Sequence, residues 1–165
     1  MTKRRAITKA PAPLEEYCEH FDLIFSRSNQ RACFRQYLEG LLLPGERNKT
    51  LTGLVNTEPL VGAQLPRAQQ VQGFLSESVW DERAVQNKRL KLLREEAVTA
   101  PHAQGVLVID ETGDRKAGHK TAHVGRQYLG SVGKIDDGVV SVTSLWADGQ
   151  VYYPLEVEPY TPELH

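Results

Sequence analysis

Hydrophobic positions in the first half of the chain recur every three to four residues, which is typical of amphipathic helices. Ser28 suits the N-cap of one helix, and Pro66 suits the first turn of another. The aromatic side chains fall at core-facing positions, so helix packing rather than base stacking is expected of them. The pattern predicts helices over 14–26, from Ser28 to just before Pro44, weakly over 49–56, from Pro66 onwards, and over 81–97.

The second half of the chain has the pattern of strands instead. The run from Gly105 to Asp110 is apolar until its last residue, which predicts a short strand buried on both faces. Asp110 would then lie where the strand opens into a loop. Asp148-Gly149 predicts a two-residue hairpin turn, with Trp146 opposite Val151. The expected sheet has three largely antiparallel strands, over 105–110, 138–147 and 150–158.

Composition narrows the class of protein. The 165 residues suffice for one domain, or for a small domain with an appendage. Residues 1–104 carry 15 Lys and Arg against 12 Asp and Glu, whereas residues 105–165 carry 5 against 9. A polyanion would therefore prefer the first part and a divalent cation the second. Cys18 and Cys33 lack metal or redox spacing, and no apolar run approaches a membrane span, so a reduced cytoplasmic protein is expected.

Two segments carry clustered positive charge. Residues 1–13 have the composition of a mobile basic arm, which either binds nucleic-acid phosphates or is an inert terminus. The helix over 81–97 carries four cations within seven residues and is the strongest candidate for a phosphate-contacting surface. The candidate DNA-binding residues are Lys3, Arg4 and Arg5 in the arm and Lys88, Arg89, Lys91 and Arg94 in the helix.

Asp110 is the candidate for chemistry. A carboxylate at a strand end is held rigidly yet reaches solvent, which suits metal coordination or phosphoryl transfer. The alternative is an Asp that only caps the following loop through backbone N–H groups. His119 and His123 are four residues apart, but no helical pattern surrounds them, and a metal site there is not expected.

Four longer stretches resemble a known family. Residues 105–113 read Gly-Val-Leu-Val-Ile-Asp-Glu-Thr-Gly, and residues 124–134 read Val-Gly-Arg-Gln-Tyr-Leu-Gly-Ser-Val-Gly-Lys. In the helical half, residues 37–47 and 72–81 carry further matches. Together they resemble the N-terminal half of bacterial insertion-sequence transposases of the DDE superfamily, over most of residues 20–160.

The resemblance implies a fold, a site and partners. The fold class is α+β, with a basic arm at 1–13, a helical DNA-binding domain at 14–104 and, at 105–165, the first three antiparallel strands of a truncated RNase H-like catalytic domain. Asp110 would be the first carboxylate of the Asp-Asp-Glu triad that binds Mg²⁺, and Arg126 and Lys134 would contact DNA. The implied partners are double-stranded DNA at transposon ends and further copies of the chain, in the bacterial nucleoid. Family members usually have an amide near Asp137, where this chain has an acid.

Three hypotheses for the function of the chain remain open. In the first, the chain is a transposase, or a fragment of one, that retains only the first catalytic Asp and is inactive alone. In the second, it is a non-catalytic, transposase-derived DNA-binding protein or repressor. In the third, it is an unrelated phosphoryl-transfer domain with a strand-end Asp, which the helical first half and the antiparallel hairpin disfavour.

Overall fold

The computed structural model describes residues 12–42, 50–55, 66–118, 120 and 122–162. Helices precede strands, so the α+β class is confirmed. The chain divides into two compact units, Met1–Arg89 and Leu90–His165, with the boundary inside the last helix. The elements are α1 Leu14–Glu19, α2 Ser28–Leu42, α3 Leu51–Leu54, α4 Pro66–Ser76, α5 Glu82–Glu95, β1 Val106–Arg115, β2 Gly125–Leu129, β3 Lys134–Ala147 and β4 Tyr152–Pro159.

An aromatic cluster forms the core of the first unit. Phe34 of α2 packs against Phe21 and Phe25, with ring centroids 5.2 and 4.9 Å apart, and all three side chains are buried. Phe74 of α4 stacks on Trp80 at 5.4 Å. The prediction that these rings form core rather than a base-stacking platform is confirmed.

The first predicted helix is shorter than its apolar pattern. α1 ends at Glu19 rather than near residue 26, and tighter turns follow, with N–H groups bonded three residues back, as from Ile24 to Phe21 at 2.9 Å. These turns still bring Phe21 and Phe25 inwards, so the apolar spacing is preserved without a regular helix.

Buried polar groups join the helices of the first unit. The Arg35 guanidinium donates to both carboxylate oxygens of Glu15, at 2.8–3.1 Å, and to Asp22 at 2.8 Å. Gln30, 5% exposed, donates to Ser78 Oγ at 3.0 Å and to the Val79 carbonyl at 2.8 Å. Hydrogen-bonded pairs of this kind fix α1 and the 78–79 segment against α2, because an unpaired buried charge or amide would be costly.

The second unit is an antiparallel sheet built on β3. β1 pairs with residues 138–147 of β3, and β4 pairs with residues 141–147. These two strands therefore lie on opposite edges of β3. β2 pairs with residues 134–138. The described sheet has four strands rather than the predicted three, because the Gly-containing stretch at 125–129 forms a strand that its polar composition did not predict.

The predicted end of β1 at Asp110 is wrong. The strand runs ten residues and continues through Asp114 and Arg115, which were expected in a loop. It is not buried on both faces either, since Leu107 is 61% exposed and Ile109 is 67% exposed. Backbone pairing with β3 extends the strand regardless of side-chain polarity, which a pattern of apolar residues cannot show.

The predicted hairpin register is wrong as well. Trp146 lies opposite Tyr153, not Val151, because Asp148 closes a four-residue loop, with its N–H bonded to the Val151 carbonyl at 3.0 Å. An irregularity beside Leu145 shifts the pairing again. The expected apolar face is thus only partly formed: Val140 and Tyr153 are buried, whereas Val142 is 40% exposed and Val157 is 55% exposed.

The β2–β3 turn folds back onto β1. Leu129, the last residue of β2, is fully buried against Gly113 of β1 and Gly138 of β3. A Cβ at Gly138 would lie 2.6 Å from the Asp114 carbonyl oxygen and 2.8 Å from the Leu129 side chain. These two glycines therefore permit a close approach that any larger residue would obstruct.

Candidate metal and nucleic-acid site

Asp110 lies in the middle of β1, directly opposite Thr143 of β3. The residue is exposed, and one carboxylate oxygen accepts the Glu111 N–H at 2.9 Å. Its backbone is fixed by the sheet while its carboxylate reaches solvent. Asp110 is thus inside a strand rather than at the start of a loop, and its carboxylate bonds the N–H of the next residue.

The acids near Asp110 in sequence do not converge on it. Side chains alternate along a strand, so Glu111 points to the opposite face of the sheet. Asp114 shares the face of Asp110 but is four residues further on, about 13 Å along the strand. Within the described ranges, no group of three His, Cys, Asp or Glu side chains is arranged to hold a metal ion. The neighbouring acids therefore complete no metal site around Asp110, whose own carboxylate is of the oxygen-ligand type that Mg²⁺ prefers.

Asp136 and Asp137 lie in β3, because that strand begins at Lys134 rather than at the predicted residue 138. Asp136 accepts from Arg115 at 3.0 Å and from Lys134 at 3.3 Å. The Asp137 N–H bond, together with these two cations, lowers the pKa of the Asp136 carboxyl. Asp136 is thus engaged in an ion-pair cluster on the face opposite Asp110.

The cations of α5 do not all lie on one side. Turning 100° per residue, the helix brings Lys88, Lys91 and Arg94 within a 120° arc and turns Arg89 away from them. Lys91 and Arg94 are exposed, with a 3.6 Å contact from Lys91 to Glu95. Arg89 donates to Gln86 at 3.1 Å.

The other predicted DNA contacts are dispersed. Arg126 is exposed in β2 opposite Asp137, and Lys134 joins the Asp136 cluster. The arm residues Lys3, Arg4 and Arg5 lie outside the described residues, as does His119. His123 has a positive φ of 64° and bonds Thr161 Oγ at 2.7 Å, and it joins no metal-binding group in the described parts of the chain.

Two residues of interest were not singled out from the sequence. Arg83 is exposed, and it falls on the same side of α5 as Arg94, eleven residues later and so about three helical turns further on. Arg83, Asn87 and Lys91 follow one another every four residues, so they lie along one side of a helix. This spacing could have identified Arg83 from the sequence. Tyr128 is an aromatic residue that is 62% exposed in β2. The sequence did not predict this strand, so the exposed ring could not be anticipated.

The described residues form a helical unit and an antiparallel sheet with an exposed carboxylate on its first strand. Residues 19–164 match the family model of the DDE superfamily endonucleases, and the chain belongs to this family. It is 34% identical over 149 residues to the probable transposase for insertion sequence element IS701 of Microchaete diplosiphon. That match covers 90% of this chain and 37% of the relative. The family relationship expected from these four stretches is therefore confirmed.

The chain spans little more than a third of the length of that relative. No solved structure matches it. Among the described helices, none is long and apolar enough to cross a membrane.

Proposed function

We propose that this chain acts in DNA transposition, binding duplex DNA through the cations of α5 and supplying Asp110 as one carboxylate ligand for Mg²⁺. The observation that carries the proposal is the match to an insertion-sequence transposase over 90% of the chain. The exposed carboxylate of Asp110 on β1 and the exposed cations Lys91 and Arg94 of α5 support it.

The proposed chemistry needs a divalent metal. A bound divalent metal would supply activation of a water or a 3′-hydroxyl and stabilisation of the leaving oxygen, and Asp110 would be one of the residues that hold it. The part of this chain is to hold Asp110 in a strand, with its carboxylate directed at solvent. Lys91, Arg94 and Arg83 would position the duplex by contacting its phosphates.

The test of DNA binding is a salt titration of duplex affinity. The logarithm of the association constant should fall linearly with the logarithm of salt concentration, by about 0.9 per phosphate contact. Lys91→Ala and Arg94→Ala should each weaken binding and lower that slope by about one contact. Lys116→Ala, which removes an exposed cation of the β1–β2 connection, is the matched control. Undetectable or salt-independent binding would refute the proposal.

Strand cleavage by the chain alone is not expected. One carboxylate supplies one or two of the six oxygens that Mg²⁺ prefers, so the ion is held weakly and without a fixed geometry. Purified protein and Asp110→Asn would be incubated with supercoiled plasmid in Mg²⁺ and in Mn²⁺. Nicking that Asp110→Asn abolishes would overturn this expectation, whereas nicking by both proteins would indicate a contaminant.

The second candidate is a transposase-derived protein that binds DNA without cutting it. The neighbours of Asp110 on its face of the sheet favour this candidate, because Val108, Thr112 and the opposite Thr143 carry no carboxylate. The two candidates differ in metal binding. Paramagnetic broadening by Mn²⁺ centred on Asp110 and its neighbours supports the metal-ligand role, and broadening that Asp110→Asn leaves unchanged supports the DNA-binding role alone.

A further inference from the structure

A groove lies between the N-terminal turn of α2 and one side of α4, entirely within the first unit. The groove has a volume of about 280 Å³. Its lining combines four amide side chains with one acid and one glycine, namely Asn29, Gln30, Gln69, Gln70, Glu77 and Gly73. Asn29, Gln69 and Gln70 are exposed, so their amides are accessible to a ligand.

The walls of the groove are fixed by contacts between the elements that form them. Gln30 is 5% exposed, and its side-chain amide donates to Ser78 Oγ at 3.0 Å. This bond holds the segment that follows α4 against the start of α2. Cys33 Sγ lies 3.7 Å from the Gln70 carbonyl oxygen, so the two helices also touch further along α2. The exposed amides are therefore carried by helices that hold each other in place.

Gly73 leaves the floor of the groove bare. It lies inside α4, where a glycine weakens the helix relative to an alanine. Packing does not require it, because nothing beyond the neighbouring backbone of its own helix lies within 4 Å of a Cβ built there. Gly40 of α2 is different, since a Cβ there would collide with the Leu54 carbonyl. The bare position at Gly73 lets the edge of a flat ligand approach the helix closely.

The chemistry of the lining disfavours a phosphate and fits the edge of a base pair. No Lys or Arg is among the described residues that line the groove, and the Glu77 carboxylate repels an anion. A side-chain amide carries a donor and an acceptor side by side. This pair matches the N6 amino group and N7 of adenine in the major groove of DNA. At 100° per residue, Gln69, Gln70 and Gly73 fall within an arc of about 100° on α4, so one ligand can reach all three.

We propose that this groove reads an A·T base pair of duplex DNA through the amides of Asn29, Gln69 and Gln70, with Gly73 admitting the edge of the base. The inference rests on the proposed function, because it assumes that DNA is the partner. It separates two kinds of contact. The cations of α5 bind phosphates and give affinity for any sequence, whereas the amides of the groove give a preference among sequences.

The experiment selects bound duplexes from a library of random sequence with the 165-residue chain. Affinity is then measured for the selected duplex and for a shuffled duplex of the same composition. Wild type should enrich a sequence with at least one fixed A·T pair and prefer it to the shuffled duplex by roughly 5-fold or more. Asn29→Ala and Gln69→Ala should each flatten the preference at an A·T position. Their affinity for the shuffled duplex and its salt dependence should stay unchanged, which a folding defect would not allow.

Two further variants separate the groove from the rest of α4. Gln72→Ala removes an exposed glutamine of the same helix that does not line the groove, and it should enrich the same sequence as wild type. Gly73→Leu places a side chain in the open space of the groove. It should keep the melting temperature of wild type and lose the preference for the selected duplex, while binding to the shuffled duplex remains.

The outcomes distinguish this inference from the proposed function. If wild type binds duplex DNA but enriches no sequence, the groove proposal is overturned and the proposed function stands. The same holds if Asn29→Ala and Gln69→Ala, or Gly73→Leu, enrich the wild-type sequence, or if the flattened positions are not A·T pairs. If wild type binds no duplex at low salt, both are overturned.

Discussion

The buried ion cluster of the first unit offers a test of how α1 is held. Arg35 is almost fully buried, with a side chain 4% exposed, and it donates to both carboxylate oxygens of Glu15, whose side chain is 10% exposed. Glu15→Ala removes both carboxylate oxygens and leaves the guanidinium with Asp22 at 2.8 Å and the Arg31 carbonyl at 3.3 Å. The buried guanidinium then keeps only some of the hydrogen bonds that offset its desolvation.

The expected loss in the free energy of unfolding depends on which partners Arg35 loses and which it keeps. Removing one partner of a buried pair costs roughly 3–5 kcal/mol, because the remaining charge stays desolvated. Asp22 is 30% exposed and still accepts from Arg35, so the loss should be at the lower end, about 3 kcal/mol. The pKa of Arg35 is raised even though burial opposes its charge, since its bonds to Glu15 and Asp22 outweigh that burial. Even without Glu15, a guanidinium stays protonated at neutral pH, so deprotonation will not relieve the unpaired charge.

The assay is urea unfolding followed by tryptophan fluorescence. The chain has two tryptophans, one in each unit, so Trp146→Phe leaves Trp80 as the reporter of the first unit. Glu15→Ala should lower the free energy of unfolding by about 3 kcal/mol, and Glu16→Ala, the exposed neighbour, by less than about 0.5 kcal/mol. Equal effects of the two substitutions would refute the conclusion that the buried pair of Glu15 and Arg35 stabilises the first unit.

Three further results are expected. Leu129→Ala should destabilise the sheet by about 2–5 kcal/mol in thermal or urea unfolding, because it empties a fully buried position, and a loss under 1 kcal/mol would contradict that packing. Hydrogen bonds from the N–H groups of Val151 and Gln150, and then from His102, lower the pKa of Asp148 to about 2. The Asp148 carboxylate therefore stabilises the fold above about pH 4, and this stabilisation is lost as the pH falls towards 2. Asp148→Asn should therefore lose less stability than wild type over that interval, and parallel pH profiles would count against it. Exposed apolar residues of β1 should cause self-association that Ile109→Lys reduces, and sedimentation showing a concentration-independent wild-type monomer would contradict this.

The helices could be predicted because their signals are local. Pro66 begins α4, as expected, whereas Ser28 is the first residue of α2 rather than its N-cap, because the Arg27 carbonyl accepts the first helical hydrogen bond, from Arg31. The Asp81 carboxylate accepts the Ala84 N–H at 2.9 Å to open α5 one residue after the predicted start. Capping residues and a period near 3.6 fall within a few residues of each other in the chain. The end of α1 was missed because continuing turns kept the same side chains inside.

The sheet could be predicted only in outline, since its details depend on residues far apart in sequence. The extent of β1 is set by β3, some thirty residues later, and the pairing of β4 is set by how Asp148 closes its loop. A two-residue turn at Asp148-Gly149 is the usual expectation for that dipeptide. Here the Asp148 carboxylate accepts from Gln150 at 2.6 Å and from Val151 at 2.8 Å, which stabilises a wider loop.

The position of Asp110 inside β1, rather than at its end, decides what can complete a metal site. The nearest positions on the same face of β1 are Val108 and Thr112, each about 6–7 Å away, and the residue directly opposite is Thr143. None of these is an acid, so neither the strand nor its partner offers a second carboxylate within reach of one ion. Raising the Mg²⁺ concentration would fill single-carboxylate sites without bringing two metals to a fixed separation. Cleavage that depends on Asp110 therefore requires a carboxylate from outside this face of the sheet, and its strand position lets that group approach from solvent.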